Sequence, residues 1–439
     1  MPDPYPVALA PGPVQGAPNL PGSKSITNRA LIIAALADGV STLRNALFCD
    51  DTEVMIGALR ALGIGLTTEP SSQTIVIHGC AGEIPVSRAD LFVGNSGTTA
   101  RFLTAALALG HGQYHLDGTE RMRQRPIGPL LDTLRELGVE IRSERGNGYP
   151  PVLLSANGLQ GGETSIRADV SSQFLSGLLL AAPYAQSPLR LHTAGSVSSE
   201  PYIRMTEAMQ RAWGIHISCH ETPDGYTFDI AAPQKYRARE YFVEPDASAS
   251  SYFMAAAVVT GGRVRINGLG AQSLQGDAAF ASVLQQCGGK VTWEEDAVIV
   301  EGAGPLHGID IDMNPISDTV LTLAAIAPLF TSPTHIRNVE HIRYKECDRI
   351  SCLVTELRRL EVRVEEHTDG LTVYPGPVTG AAVDTYDDHR MAMSFSILGL
   401  RVPNLAIRNP SCVNKTFPTF FQELTRMCGV SGSQSVVRE

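Results

Sequence analysis

Short polar segments rich in Ser, Thr, Asp and Gly recur along the chain, each followed by a long apolar run that carries almost no charge. In the first, Leu20-Pro21-Gly22-Ser23-Lys24-Ser25-Ile26-Thr27-Asn28-Arg29 leads into Ala30 to Leu36. Pro and Gly end whatever precedes, Ser and Thr offer N-cap oxygens, and a run apolar on every side predicts a buried helix. The same order returns at Gly94 to Thr99 before a helix over Ala100 to Leu109, and at Ser171-Ser172-Gln173 before Phe174 to Ala182. It returns again at Asp246 to Ser250 before Tyr252 to Val259, at Ser317-Asp318 before Thr319 to Leu329, and at Asp387 to Arg390 before Met391 to Leu400. These starts lie roughly 70 to 76 positions apart, a longer period than that of solenoid repeats but the same kind of signal.

Between the starts come strand-like pieces at Ser41 to Asn45, Thr74 to His78, Gln113 to Leu116 and Leu189 to Thr193. Second helices are predicted over Val54 to Leu62, capped by Asp50-Asp51-Thr52 and stopped by Gly63, and over Pro129 to Leu137, Pro201 to Trp213 and Ile350 to Leu360. The chain thus reads as six α/β units. Two groups of three would each close on themselves, with a hinge near Val243-Glu244-Pro245-Asp246, where Pro and a repeat boundary coincide. Each group would then aim three helix dipoles at one end, and a cleft between two such ends would be positive.

Bulk properties fit this picture. A chain of 439 residues exceeds a single core and predicts two domains of about 200 residues each. With 43% hydrophobic and 18% charged residues it is an ordinary globular composition. The net charge of −10 argues against general nucleic-acid binding. Eight cysteines are scattered with no C-x-x-C pair and no zinc spacing, as expected of reduced, packed thiols. The opening Met1-Pro2-Asp3-Pro4-Tyr5-Pro6 lacks the pattern of a signal peptide, and no apolar run approaches a membrane span. The expected protein is soluble and cytoplasmic.

The candidate chemistry lies at the repeat ends. Lys24 and Arg29 stand at the first helix opening, where free N–H groups and the dipole would join them around a phosphate or carboxylate. The spacing is not that of a Walker A loop. Arg125 precedes Pro126, read as the first helical position. Lys345 and Arg349, with Glu346 between them, are placed one turn apart leading into the Ile350 helix; Asp388-His389-Arg390 opens the sixth inner helix and Asn414-Lys415-Thr416-Phe417-Pro418 the last one. Any one cluster also reads as a solvated face, the reading preferred for Arg121 and Arg123. Lys24, Arg29, Arg125, Lys345, Arg349, Arg390 and Lys415 together require anions, since a like-charge pair at 4 Å costs about 4 kcal/mol at an effective dielectric of 20. Two multiply charged small molecules are the natural partners. Asp318, Glu346 and His389 are suited to moving protons, and cationic neighbours would keep Asp318 ionised as a base. For His389 a capping or core role stands level with a catalytic one.

Taken together, Leu20 to Ser25 with Asn28-Arg29, Gly94-Asn95-Ser96-Gly97-Thr98, Arg125-Pro126-Ile127, Ser171 to Phe174, Asp246-Ala247-Ser248, Lys345-Glu346 with Asp348-Arg349, Asp388-His389-Arg390 and Lys415 to Pro418 resemble 5-enolpyruvylshikimate-3-phosphate synthases. The resemblance runs from about residue 7 to 428 with the motifs in order. It implies a two-domain inside-out α/β barrel, each domain made of three βαβαββ repeats, with residues 1–22 and 244–439 in one domain and 23–243 in the other. It also implies transfer of the enolpyruvyl group of phosphoenolpyruvate to the 5-hydroxyl of shikimate 3-phosphate. On family terms Lys24, Ser25, Arg29, Ser171, Ser172, Gln173, Ser199, Tyr202, Asp318, His341 and Lys345 would hold shikimate 3-phosphate. Lys24, Asn95, Gly97, Arg125, Gln173, Glu346, Arg349, His389, Arg390 and Lys415 would surround phosphoenolpyruvate, on the side of the domain that carries the catalytic Asp, Glu and Lys. Lys24, Asp318, Glu346, His389 and Lys415 would be catalytic; no metal or organic cofactor is implied, glyphosate is an expected inhibitor, and a monomer that closes around its first substrate is expected.

Two positions depart from the family pattern: His341, where many members carry Asn, and Phe102, where Pro is frequent and whose bulk would shift the start of its helix. Two rival readings differ in class. UDP-N-acetylglucosamine enolpyruvyl transferases share the architecture but depend on a loop cysteine, and this chain has none between Cys80 and Cys219. A non-catalytic two-domain binder of small anions would have no need of Asp318 and Glu346 beside the cations.

Overall fold

The computed structural model describes residues 1–429. The chain forms two compact units, one taking in Met1–Pro21 and everything described from Pro245 onward, the other Gly22–Glu244. The described residues build six small sheets, five of four strands and one of three.

One repeat shows how the sequence makes each sheet. Strand Arg88–Phe92 is followed by helix Gly97–Leu107, strand His111–Asp117, helix Gly128–Glu136 and the pair Glu140–Ser143 and Val152–Asn157. Arg88–Phe92 and His111–Asp117 run parallel, from Arg88 opposite Gln113 to Phe92 opposite Asp117. A parallel pair needs a long crossover, and the apolar helix supplies it. The remaining pairings are antiparallel, giving a βαβαββ unit in which the last strand lies second from the edge. Gly162–Ile166, Leu189–Thr193, Gly225–Ile230 and Ile217–Thr222 repeat the order in the same unit. So do Asp310–Asp312, Thr334–Arg337, Gly370–Val373 and Val364–His367 in the other.

Three repeats borrow a strand from a distant part of the chain. The sheet of Val40–Arg44, Thr74–His78 and Gly65–Glu69 receives Glu240–Phe242 as its leading parallel strand, with Glu240 opposite Thr42. In the other unit Gln15–Gly16 runs parallel to Arg263–Asn267, and Tyr5–Pro6 pairs antiparallel with Ala406–Ile407. Each group of three repeats is therefore closed by residues from its own far end.

Inside each unit three helices pack on one another: Lys24–Leu36, Gly97–Leu107 and Ser172–Ala181 in one, Ala247–Thr260, Val320–Ile326 and His389–Gly399 in the other. Every residue of Gly97–Leu107 and of His389–Gly399 is buried, as the lack of a polar stripe required. Some of their polar side chains meet across the cluster: Asn28 Nδ2 donates to Thr98 Oγ1 at 3.0 Å, and the hydroxyls of Ser251 and Thr322 are 3.0 Å apart. Ser23, Ser96, Ser171, Asp246 and Asp388 cap five of these helices with side-chain oxygens. All eight cysteines are free, and among the described residues no helix is long and apolar enough to cross a membrane.

Several element boundaries differ from the sequence reading. Thr319 to Leu329 is not one helix: a 3-10 turn Asn314–Thr319 precedes Val320–Ile326, and Pro328 tightens the end into another, Ala327–Leu329. Asn414 to Pro418 does not open the last helix directly, because Lys415 closes the 3-10 turn Pro410–Lys415 and the helix is Phe420–Met427. Cys49, not Asp50 to Thr52, holds the cap position of Asp50–Ala61, with Thr52 Oγ1 bonding back to the Cys49 and Leu47 carbonyls. Phe102 does not displace its helix, which starts at Gly97 under the Ser96 cap.

The borrowed strand Gln15–Gly16 makes a prediction. A Cβ at Gly262 would lie 1.9 Å from the Val14 carbonyl oxygen. Gly262→Ala should therefore destabilise the protein by about 1–3 kcal/mol through overpacking, read as a lower denaturant midpoint; an unchanged midpoint would show that the strand is not held there.

Candidate functional site

In the unit holding both chain ends, the 3-10 turn Asn314–Thr319 presents Asp318 to three cations. Lys345 Nζ lies 2.6 Å and Arg349 Nη1 3.1 Å from its Oδ1, and Arg390 Nη2 is 2.7 Å from its Oδ2. Arg349, 1% exposed, also donates through Nε to Asp388 Oδ2 at 2.7 Å and through Nη2 to Glu346 Oε2 at 2.9 Å. One planar guanidinium thus meets three carboxylates, the geometry for which Arg is suited and Lys is not. Asp388 in turn caps its helix by accepting the Arg390 N–H at 2.8 Å, which ties the Arg349 anchor to the Arg390 backbone. Lys415 Nζ stands 4.0 Å from Glu346 Oε1. His389 is buried, its Nδ1 3.6 Å from Asp388 Oδ1.

The electrostatics follow from these contacts. Burial alone would raise the Asp318 pKa, but Arg390, Lys345 and Arg349 outweigh it and hold the carboxyl well below its usual range. Burial pulls Lys345 down while Asp318 pushes back. Burial also works against the Arg349 charge, yet Asp388, Glu346 and Asp318 raise its pKa. His341 is pushed down to about 3 by burial and by Lys345, so it is a neutral imidazole that can accept or donate one hydrogen bond. Asp277, which accepts a hydrogen bond from Ser248 Oγ, is raised to about 6 by burial and by the charge of Asp318.

In the other unit Lys24 is the first residue of its helix, with Nζ 3.3 Å from Asp51 Oδ2. Arg29, one turn inward, donates to Thr206 Oγ1 at 2.8 Å, to the Ser25 carbonyl at 3.0 Å, and to Ser176 Oγ and the Tyr202 carbonyl at 3.2 and 3.1 Å. Ser171 caps the Ser172–Ala181 helix by accepting from the Gln173 N–H; Ser172 is buried and Gln173 half-buried. Ser199 takes a left-handed φ of 53° immediately before the Pro201–Ala212 helix that carries Tyr202. Arg125 Nη1 donates to the Asn95 carbonyl at 2.9 Å and to Asn95 Oδ1 at 3.2 Å. Gly97 sits under two guanidiniums, since a Cβ there would meet Arg125 Nη2 at 2.5 Å and Arg101 Nη1 at 2.7 Å.

The structure revises three expectations about these residues. Pro126 is not the first helical position; the helix is Gly128–Glu136 with Pro129 in its first turn, and Arg125 follows the 3-10 turn Met122–Gln124. Lys345 and Arg349 do not share a helix, because Asp348 caps Arg349–Arg359 and Lys345 ends the 3-10 turn Glu340–Tyr344; they meet through Asp318 instead. Lys24, Lys345, Arg349, Arg390 and Lys415 also carry their own anions, Asp51, Asp318, Glu346 and Asp388. Asp51, Asp388, Arg101 and Asp277 were not singled out as site residues from sequence. Asp51 offers only an ambiguous signal, an acid in the first turn of its helix, which reads as a cap. Among the described residues no cluster of three His, Cys, Asp or Glu side chains is placed to hold a metal ion.

Residues 9–424 match the family described as EPSP synthase (3-phosphoshikimate 1-carboxyvinyltransferase). Relatives named 3-phosphoshikimate 1-carboxyvinyltransferase include those of Trichormus variabilis, 49% identical over 95% of this chain and 97% of the relative, and of Nostoc punctiforme, 50% identical over 94% and 97%. The relative from Shewanella pealeana is 42% identical over 94% of this chain and 97% of its own. The fold is that of the EPSP synthase from Acinetobacter baumannii, with a TM-score of 0.80 at 24% identity over 97% of each chain. These matches decide between the rival readings, and the chain belongs to the EPSP synthase (3-phosphoshikimate 1-carboxyvinyltransferase) family.

Proposed function

We propose that this chain catalyses the family reaction, transferring the enolpyruvyl group of phosphoenolpyruvate to the 5-hydroxyl of shikimate 3-phosphate with release of phosphate, a step of aromatic amino acid biosynthesis. The observation that carries the mechanism is Asp318, a carboxylate kept ionised under three cations. In that state it is a weak base, because its negative charge is already spent. An anionic substrate that binds Lys345, Arg349 or Arg390 draws their charge away and raises the basicity of Asp318 at the moment it is needed.

The bond changes then balance. The 5-oxygen adds to C2 of phosphoenolpyruvate as Asp318 takes the hydroxyl proton, and Glu346 delivers a proton to the methylene carbon, giving a tetrahedral intermediate. In the second half the C2–O bond to phosphate breaks, the departing oxygen takes the proton that Asp318 holds while Lys24 and Lys415 offset the charge of the leaving group, and a proton returns from the methyl carbon to Glu346, restoring the double bond and both carboxyl groups to their starting states. Glu346 is held for this by Arg349 and Lys415. His389, buried against Asp388, fits the positioning of the Arg390 helix start. Ser25, Arg29, Ser171, Ser172, Gln173, Ser199, Tyr202, His341 and Lys345 are assigned to shikimate 3-phosphate, and Asn95, Gly97, Arg125, Gln173, Arg349, Arg390 and Lys415 to phosphoenolpyruvate. We assign a monomeric, cytoplasmic enzyme that glyphosate inhibits in competition with phosphoenolpyruvate.

A phosphate-release assay tests the reading directly. Phosphate should appear only when shikimate 3-phosphate and phosphoenolpyruvate are both present, and Lys24→Met should abolish it; near-normal turnover in that variant removes Lys24 from the mechanism. Asp318→Asn should lower turnover roughly a hundred- to ten-thousand-fold, the range of a lost acid–base group, while shikimate 3-phosphate still binds. Because the folded pKa of Asp318 is depressed, its ionised form stabilises the protein above the ordinary carboxylate range, and that stability is lost as pH falls through the folded value. Asp318→Asn should accordingly be less stable than the parent at pH 7, with the gap closing in strong acid; a gap independent of pH would contradict the assigned charge. Glyphosate at millimolar concentration should inhibit the parent protein, and Gly97→Ala, by pushing Arg125 and Arg101 aside, should weaken both this inhibition and phosphoenolpyruvate binding; full activity of the parent in millimolar glyphosate overturns the assignment.

A further inference from the structure

Arg29 is a buried cation held by uncharged groups. It is 1% exposed, and its bonds among the described residues go to two hydroxyls and two carbonyls, none to a carboxylate. Those four bonds use four of the five guanidinium N–H groups, leaving one on Nη1. Burial without a counter-charge lowers its pKa to about 10, with a smaller opposing effect from Tyr202, so it remains a cation at neutral pH. Two aromatic rings stand where a carboxylate would be expected: the guanidinium carbon is 5.1 Å from the Phe102 ring centre and 5.7 Å from that of Tyr202. Phe102 is wholly buried on the Gly97–Leu107 helix, so its ring is fixed by packing.

We propose that Phe102 is a positioning residue for shikimate 3-phosphate, holding the Arg29 guanidinium in place through its ring face without neutralising it. A carboxylate at this place would attract Arg29 more strongly but would cancel the charge that an acidic substrate needs. The negative face of an aromatic ring attracts the cation and carries no formal charge. The side chain is thereby oriented before the ligand arrives, which removes an ordering cost from binding. The same pairing explains how Phe102 fits inside an otherwise close-packed helix cluster: its ring has a flat cationic neighbour.

This inference rests on the assignment of Arg29 to shikimate 3-phosphate, and the test separates the two. Shikimate 3-phosphate is titrated onto the full-length protein and its KM measured for Phe102→Met, which keeps most of the apolar bulk without a ring face, for Phe102→Leu, and for Phe102→Tyr. Both aliphatic variants should raise KM and Kd for shikimate 3-phosphate about two- to thirty-fold, the factor to which a contact of about 0.5–2 kcal/mol converts. Their kcat should stay within about twofold, the KM for phosphoenolpyruvate should not change, and Phe102→Tyr should keep the parent's affinity. The ring-current shift of the Arg29 Nε proton should fall in the aliphatic variants to the part owed to Tyr202 and stay at the parent's value in Phe102→Tyr. Parent-like affinity in Phe102→Met and Phe102→Leu, or a Tyr variant as weak as they are, overturns the inference. If Arg29→Ala also binds shikimate 3-phosphate normally, the assignment of Arg29 itself falls.

Discussion

The cost of burying charge is the constraint around which the Asp318 unit is arranged. A guanidinium as enclosed as that of Arg349 is tolerable only when its N–H groups meet acceptors and its charge meets opposite charge. Asp318, Glu346 and Asp388 provide both, and they come from three separate stretches of chain. Removing any one partner would leave buried charge uncompensated, so the turn that bears Asp318, the helix start at Asp388 and the loop at Glu346 are locked into one geometry. That rigidity is what the proposed proton transfer requires, since small displacements of the reacting groups cost rate.

The other unit solves the same problem by different means. Lys24 has a carboxylate beside it, but Arg29 is surrounded by hydroxyls, carbonyls and ring faces. Charge is concentrated and neutralised in one place and left unneutralised in the other. A network of paired charges suits proton transfer, where basicity must change during reaction. An unneutralised cation suits recognition of an anion, whose own charge completes the pairing.

The inner helices were plain in the sequence because they obey simple rules: a capping oxygen, then residues apolar on every side. The strands that close each group of repeats were not, since Gln15–Gly16 and Glu240–Phe242 are too short to show alternation and owe their pairing to partners far along the chain. Among the proposed site residues, Lys24 and Arg390 stand at helix openings that the sequence shows, and Asp318 in the polar turn just before one. Asp51 could not, because an acid in a first helical turn is equally a partner of the helix dipole. Arg125 was misplaced because Arg125-Pro126-Ile127-Gly128-Pro129 offers two prolines, and local sequence does not say which begins the helix. Lys345 and Arg349 were correctly joined for the wrong reason: the link between them is Asp318, which lies 27 and 31 residues away.

The strands that Tyr5–Pro6 and Gln15–Gly16 contribute have a consequence for how the chain is made. Their partners, Ala406–Ile407 and Arg263–Asn267, emerge from the ribosome long after them. The Gly22–Glu244 unit can finish while synthesis continues, because its closing strand Glu240–Phe242 is its own last element. At about 5–20 residues per second, the first twenty residues wait tens of seconds as unpaired chain before their sheets exist. The many prolines among them, Pro2, Pro4, Pro6, Pro11, Pro13 and Pro18, suit that wait, for a segment with few backbone donors is a poor template for premature strand pairing.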